Sequence, residues 1–373
     1  MDYDLTRLPL ADMAGAIAAA TSAVTRLDER LVHSPIRLGW LSRSHFWDAC
    51  AALWVDGELV HLEDLVREVG ELGARRPSQA LTIAHDIVRS RRRILTHPHG
   101  WALTEAGLNR LRRGHERTEP VLEHKSARPK VAGGDDTDAG TDDPFSVHLA
   151  EIDAVLARSE ALLSQIPLSG AHAVSRERED IADLIEGQKT HRDEEDCMRA
   201  WRQVLKNCGE LPGVLRAVVL LDAWDRIQVL ERMPWLGPLL SAAALRDSGL
   251  TTGCLLPISV GIKQVPRSDR RHRHRDTRLH ALLSAVLKAA QFGLSEHDRL
   301  SLIRQQLVQR LDGRRSSSKL PQLIDLVLQQ PFVSTDMIVE TLDVTPQGAT
   351  RIISQLNIRE LTGRGRFRAW GVL

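Results

Sequence analysis

Cysteine is scarce. The 373 residues hold four, Cys50, Cys197, Cys208 and Cys254, none in a CxxC pair or beside a spaced pair of histidines. That spacing excludes a zinc module of the kind a sequence reveals, and free thiols in a reducing cytoplasm are expected instead. Charge of one sign is also lacking: 50 Lys and Arg face 49 Asp and Glu, for a net +1. No global field draws a polyanion, so a nucleic-acid partner has to be met by a local patch. No segment reaches about 18 uninterrupted apolar residues. The opening "MDYDLTRLPL" begins with acids and has no basic n-region, which excludes a secretory signal. The expected location is the cytosol. Neither GxGxxG nor GxxxxGK[ST] occurs, so the nucleotide loops legible in a sequence are missing. His272 and His274 in "RHRHR" have no third ligand nearby, so no metal or other cofactor is assigned.

What is present is ordinary for a globular chain: 42% apolar and 27% charged residues, in a length that suits two or three domains. The expected fold class is mainly α. Phe46, Trp47, Cys50, Leu53 and Trp54 share one helical face, as do Leu62, Leu65, Val66 and Val69, with Asp56-Gly57 between them. An N-terminal helical domain is read over 1–112. From Arg113 to Asp143 the chain is rich in Pro, Gly, Asp and Thr, and is expected to be a disordered linker. Helical spacing returns at Leu149, Ile152, Leu156 and Leu163, opening a central helical domain over 144–312. Its strongest segment runs from Leu211 to Ile227, and another begins at Pro234. Two more, "RLHALLSAVLKAAQFGL" and "SEHDRLSLIRQQLVQRL", are separated by Ser295 as an N-cap. Three basic runs, "SRRRILTHPHGW", Arg267–Arg278 and Arg310–Lys319, read as helix ends and solvated loops, the last two able to extend a phosphate-contact surface. No period signals a repeat array.

The last segment, 313–373, has the most specific grammar. Leu323, Ile324, Leu326 and Val327 give one helix, stopped near Pro331. Ser334 or Thr335 caps a second with Met337, Ile338 and Leu342 inward. Asp343-Val344 makes a turn, Thr345 caps a third helix, and Pro346 takes its first position, where a missing N–H costs nothing. Two short helices across a tight turn form a helix-turn-helix. On the third helix Ala349, Ile352, Ile353 and Leu356 face inward. Gln347, Thr350, Arg351 and Ser354 are left outward near its N-terminal half, where a recognition helix meets base edges. "TGRG" at Thr362–Gly365 reads as a turn between two short strands, a wing carrying Arg364, Arg366 and Arg368. Residues 345–373 hold five Arg and one Glu. The expected DNA-contacting residues are Thr345, Gln347, Thr350, Arg351 and Ser354 on the helix, with Arg364, Arg366 and Arg368 on phosphates or in the minor groove.

The segments "WVDGELVHLEDLV", "WLGPLL", "LSEHDRLSLIRQQL", "GRRSSSKLPQLIDLVL" and "VTPQGATRIISQLNIRELTGRGRFRAWGVL" resemble an uncharacterised bacterial family. That family joins a domain of unknown function to a C-terminal helix-turn-helix DNA-binding domain. The resemblance implies DNA binding and no known reaction. The layout more distantly resembles Fic-domain proteins, AMP transferases with the motif HPFx[DE]GNGR. The corresponding stretch here, "IQVLERMPWLGPLL", has no His, no GNG and no phosphate Arg in frame. That family's inhibitory motif [ST]xxxE[GN] falls on "AALWVDGEL", with Ala52 for the hydroxyl residue, Asp56 for the Glu, and Gly57 kept. Base, metal ligand and anion nest are all needed for phosphoryl transfer, so the resemblance implies a degenerate Fic-like core without the chemistry.

The expectation is a DNA-binding protein, a transcriptional regulator or a plasmid- or genome-associated binder, and not an enzyme. Its partner is double-stranded DNA; its helical domains dimerise or take a ligand or protein. A diverged Fic-type nucleotidyl transferase and a non-catalytic interaction scaffold are the alternatives.

Overall fold

The computed structural model describes residues 3, 5, 8–69, 78–113, 194–309, 319–361 and 368–372. The expected linker beyond Arg113, the expected helix at 149–163, most of the basic run Arg310–Lys319 and the wing turn with Arg364 and Arg366 lie outside them. The chain divides into two compact units, residues 1–117 with 196–373, and residues 118–195. Among the described residues the secondary structure is helical except for one two-stranded sheet, as the periodicity predicts. No helix among them is long and apolar enough to cross a membrane.

The helices are α1 (Leu10–Val32), α2 (Arg37–Asp56), α3 (Leu62–Val69), α4 (Gln79–Thr96) and α5 (Glu105–Arg112). After the undescribed stretch come α6 (194–207), α7 (Gly213–Ile227), α8 (Leu236–Asp247) and the short α9 (Ile258–Lys263) and α10 (Arg267–Arg270). The long α11 (Arg275–Gln309) follows. It packs along α1 and α9, α7 packs on α8, and α2 packs on α9 and α4. Helices from both sides of the undescribed stretch thus share one apolar core, from Met13 and Leu27 through Leu65 and Ile87 to Leu221, Leu240 and Leu283. Edge-to-face rings stitch it: Trp47 stands between Trp40 and Phe292 at centroid distances of 6.2 and 5.4 Å, and Trp201 meets Trp224 at 5.3 Å. Such pairs add stabilisation beyond the area they bury.

One expected boundary fails. α11 runs straight through Ser295, so this residue caps nothing. The preceding Gly293 is there for packing. Its carbonyl accepts the Trp40 indole N–H at 2.9 Å, and a Cβ would press on Leu27 and Trp40. A helical glycine costs about 1 kcal/mol relative to alanine, and close helix approach offsets that cost without ending the helix.

Two basic runs are largely solvated, as expected, but each holds one buried arginine. Arg91, within "SRRRILT", is fully buried and paired with buried Asp48. Asp48 also accepts the Ser259 N–H at 2.8 Å, and Arg91 donates to the Leu255 carbonyl at 2.7 Å. Arg278, at the end of the second run, grips Asp222 through two bonds of 2.6 and 2.9 Å, and the Tyr3 hydroxyl donates to the same carboxylate. Buried ions survive only when paired and hydrogen-bonded; sequence charge alone could not show the partners.

Candidate nucleic-acid interface

The C-terminal module has its own small core, in which Leu323, Val327, Ile338, Ala349, Ile353 and Trp370 are all buried. α12 (Leu320–Gln329) precedes β1 (Val333–Ser334), α13 (Thr335–Leu342), α14 (Pro346–Leu356) and β2 (Ala369–Trp370). Ser334 is the cap of α13: its hydroxyl accepts the Met337 N–H at 3.2 Å. Asp343 closes α13 in the left-handed region (φ 48°), a conformation that Asp tolerates better than most residues. Thr345 then accepts the Gly348 N–H at 3.1 Å, and Pro346 occupies the first turn. Replacing Thr345 by alanine is expected to lower stability by about 1 kcal/mol. Thermal unfolding of the full chain measures it, and an unchanged midpoint would discount the cap.

The wing is partly described. β2 pairs antiparallel with β1, Val333 opposite Trp370 and Ser334 opposite Ala369. Glu360 bridges to Trp370 from the other side, with Leu361 N–H to Ala369 O at 2.8 Å and Gly371 N–H to Arg359 O at 3.1 Å. The strand between α12 and α13 is two residues long, too short to show an alternation in sequence.

Gln347, Arg351 and Ser354 are exposed at i, i+4 and i+7 on α14, and Thr350 is half-buried beside them. The inward residues Ala349, Ile353 and Leu356 are buried. Thr350 and Ser354 donate their hydroxyl protons to Pro346 O and Arg351 O, at 3.1 and 2.8 Å. With those protons spent on the backbone, both hydroxyls offer acceptors outward, while Gln347 and Arg351 supply donors. Arg368 is exposed but engaged: it forks onto Glu360 at 3.1 and 2.7 Å and lies over Trp370. That hydrogen-bonded cation holds the Glu360 carboxyl below its usual range.

The module is seated on the helical body by α2. Buried Arg43 spends all five N–H groups on backbone carbonyls: Gly39, Val327, Leu328, Gln330 and Val372, at 2.7 to 3.0 Å. Three of them are carbonyls at the C-terminal end of α12, which have no partner within their own helix. Burial, first, and then nearby Arg299 lower the Arg43 pKa to about 10, so it stays charged at neutral pH. Gly39, one turn earlier, has no side chain because Leu328 O occupies the space a Cβ would need. Two further contacts come from α3: Arg67 donates to Leu361 O at 2.5 Å, and Glu63 pairs with Arg359 at 2.8 Å.

Family models match the chain in two consecutive segments. Residues 188–312 match "Protein of unknown function (DUF1612)" and residues 320–373 match "HTH DNA binding domain". Along its whole length the chain is 45% identical, over 389 aligned residues, to "Uncharacterized protein y4cF" of Sinorhizobium fredii (strain NBRC 101917 / NGR234), all of which is covered too. The chain belongs to the DUF1612 family. In this member the HTH DNA-binding domain is the module whose third helix carries Gln347, Arg351 and Ser354.

The DUF1612 segment, α6 to α11, supplies most of a cleft of about 550 Å³, completed by the end of α2. Ala52 and Asp56 from "AALWVDG" and Gln228, Leu230 and Pro234 from "IQVLERMPWLGPLL" line it together. Among the described residues its ionisable lining is carboxylate and guanidinium, with no histidine. Solvent reaches Asp56 and Asp225, yet the surrounding protein strips enough water to push both up to about 6, the Asp222 carboxylate adding to the effect on Asp225.

Proposed function

We propose that the chain is a sequence-reading binder of double-stranded DNA that acts as a regulator. The observation that carries this is the outward stripe of α14. An exposed guanidinium, an exposed amide and two fixed hydroxyl acceptors, one exposed and one half-buried, lie in the first three turns of the second helix of a helix-turn-helix, where that motif reads the major groove. In this reading Arg351 and Gln347 contact base edges, Thr345, Thr350 and Ser354 line the groove, and Arg364 and Arg366 hold phosphates. Arg368 contributes less than a free arginine would, because Glu360 already takes its fork.

A protein partner for the same face is the second reading. It is favoured by the pairing of Arg359 with Glu63 and of Arg368 with Glu360, which leaves less free positive charge than the sequence count implies.

Selection from a random duplex pool by the full chain decides between them. DNA reading yields an enriched motif; a homodimer would show it as two half-sites about 34 Å, one helical turn, apart. On the selected site, Arg364→Ala with Arg366→Ala should flatten the log affinity versus log salt slope by about 1.8, some 0.9 for each phosphate released. Arg351→Ala should cost about 1–3 kcal/mol at one base pair and relax specificity there. No enriched motif, with a shallow salt slope in the parent chain, would sink the DNA reading and leave the protein partner.

A further inference from the structure

We propose that the cleft and the hollow adjoining it form one binding site for a small organic anion with a planar apolar body. The outer hollow measures about 580 Å³ and shares Val55, Asp56, Pro234, Arg270 and Arg271 with the inner cleft. Each is of the size that small-ligand sites adopt.

The outer part supplies a ring and cations. Trp54 is 44% exposed, a large apolar face left to water, with the Lys263 ammonium 5.1 Å from its ring. Lys263, Arg267, Arg270 and Arg271 line this hollow against a single carboxylate, Asp56. The arginines crowd one another: besides burial, the charges of Arg271 and Arg267 depress the Arg270 pKa. Like charges gathered in one hollow repel one another; Asp56 and Asp225 offset part of that charge, and an anion would offset more while its planar body packs on the exposed part of Trp54.

The inner part supplies a separate observation. Ser259 lines the cleft, is 1% exposed, and its hydroxyl has no hydrogen-bond partner among the described residues, although its own N–H is held by Asp48. A buried hydroxyl left unpaired costs about 1–3 kcal/mol, and a ligand with a polar atom at its far end would satisfy it. Apolar residues, including Leu221, Trp235 and Leu282, also line the inner cleft. Exposed Trp among cations is also how proteins grip a single DNA strand, but the buried Ser259 hydroxyl in the inner cleft favours a compact molecule.

The test uses 1-anilinonaphthalene-8-sulfonate, a fluorescent planar anion, titrated into the full chain without DNA, so its outcome does not depend on DNA binding. One saturable site is expected. Trp54→Ala and the pair Arg267→Ala with Arg271→Ala should each weaken it by about tenfold or more, the loss of one stacking or charge-assisted contact. The substituted residues are exposed, and circular dichroism melting checks that the fold survives. N-phenyl-1-naphthylamine, the same rings without the sulfonate, should bind at least about tenfold more weakly. Absence of binding, affinity unmoved by the three substitutions, or equal affinity for the neutral probe overturns the proposal. Displacement of the probe by an oligothymidylate strand would also overturn it, in favour of nucleic acid.

Discussion

Arg43→Ala is expected to destabilise the chain by about 3–5 kcal/mol, a loss reached only by substitutions that break a buried polar network. The guanidinium sits where three carbonyls at the end of α12, one from Gly39 and one from Val372 converge. Alanine leaves them facing a void. Unsatisfied buried acceptors cost about 1–3 kcal/mol each, and water entering the space recovers part of the sum. Arg43→Lys should fall between parent and alanine, because an ammonium keeps the charge at the α12 terminus but has three donors in place of a planar five. Urea unfolding of the full chain gives the total. Hydrogen exchange at Leu326–Gln330 locates it, since protection there should fall before that of α1 and α11. A total loss below about 1 kcal/mol would mean that solvent already serves these carbonyls.

Breaking the Asp48–Arg91 pair gives the second large effect. In Asp48→Ala the Arg91 guanidinium remains buried without its carboxylate, and the Ser259 N–H at the start of α9 loses its acceptor. The expected cost is about 3–5 kcal/mol, typical when one member of a buried pair is removed. The double variant Asp48→Leu with Arg91→Met should recover much of that loss, because an apolar pair of similar volume avoids desolvating two ions. A double-mutant cycle in urea measures the coupling. If the double variant is as unstable as the sum of its singles, the pair is not an energetic unit and the claim fails.

The DNA-binding module was the most legible part of the chain because its signals are local. Thr345-Pro346 marks a helix start by capping chemistry, and the 3.6-residue phase of Ala349, Ile353 and Leu356 fixes which side of α14 faces out. Ser334 could not be separated from Thr335 as the α13 cap without coordinates, since either hydroxyl can accept from an N–H two or three residues on. The helical body was legible in type but not in detail. Ser295 offered a cap and does not act as one, because α11 runs through it, with Leu27 and Trp40 packed on Gly293 two residues before. Arg43, Arg91 and Arg278 escaped for a shared reason. Arginine is exposed in most contexts, and its exceptions are set by partners far along the chain: Val327 and Leu328 for Arg43, Asp48 for Arg91, Asp222 for Arg278. A hint was present in "RLGWLSR", where Gly39 and Arg43 stand one turn apart on a helix otherwise rich in core residues. The cleft drew on segments more than 150 positions apart, which periodicity cannot join.

α2 carries Gly39 and Arg43 near its start and Ala52, Val55 and Asp56 at its end. At 1.5 Å per residue, about 14 Å of unbroken helix separates Arg43 from Ala52 and about 25 Å separates Gly39 from Asp56. One helix thus supplies both the anchor under the HTH domain and a wall of the cleft, so the two features are built on a single element of secondary structure.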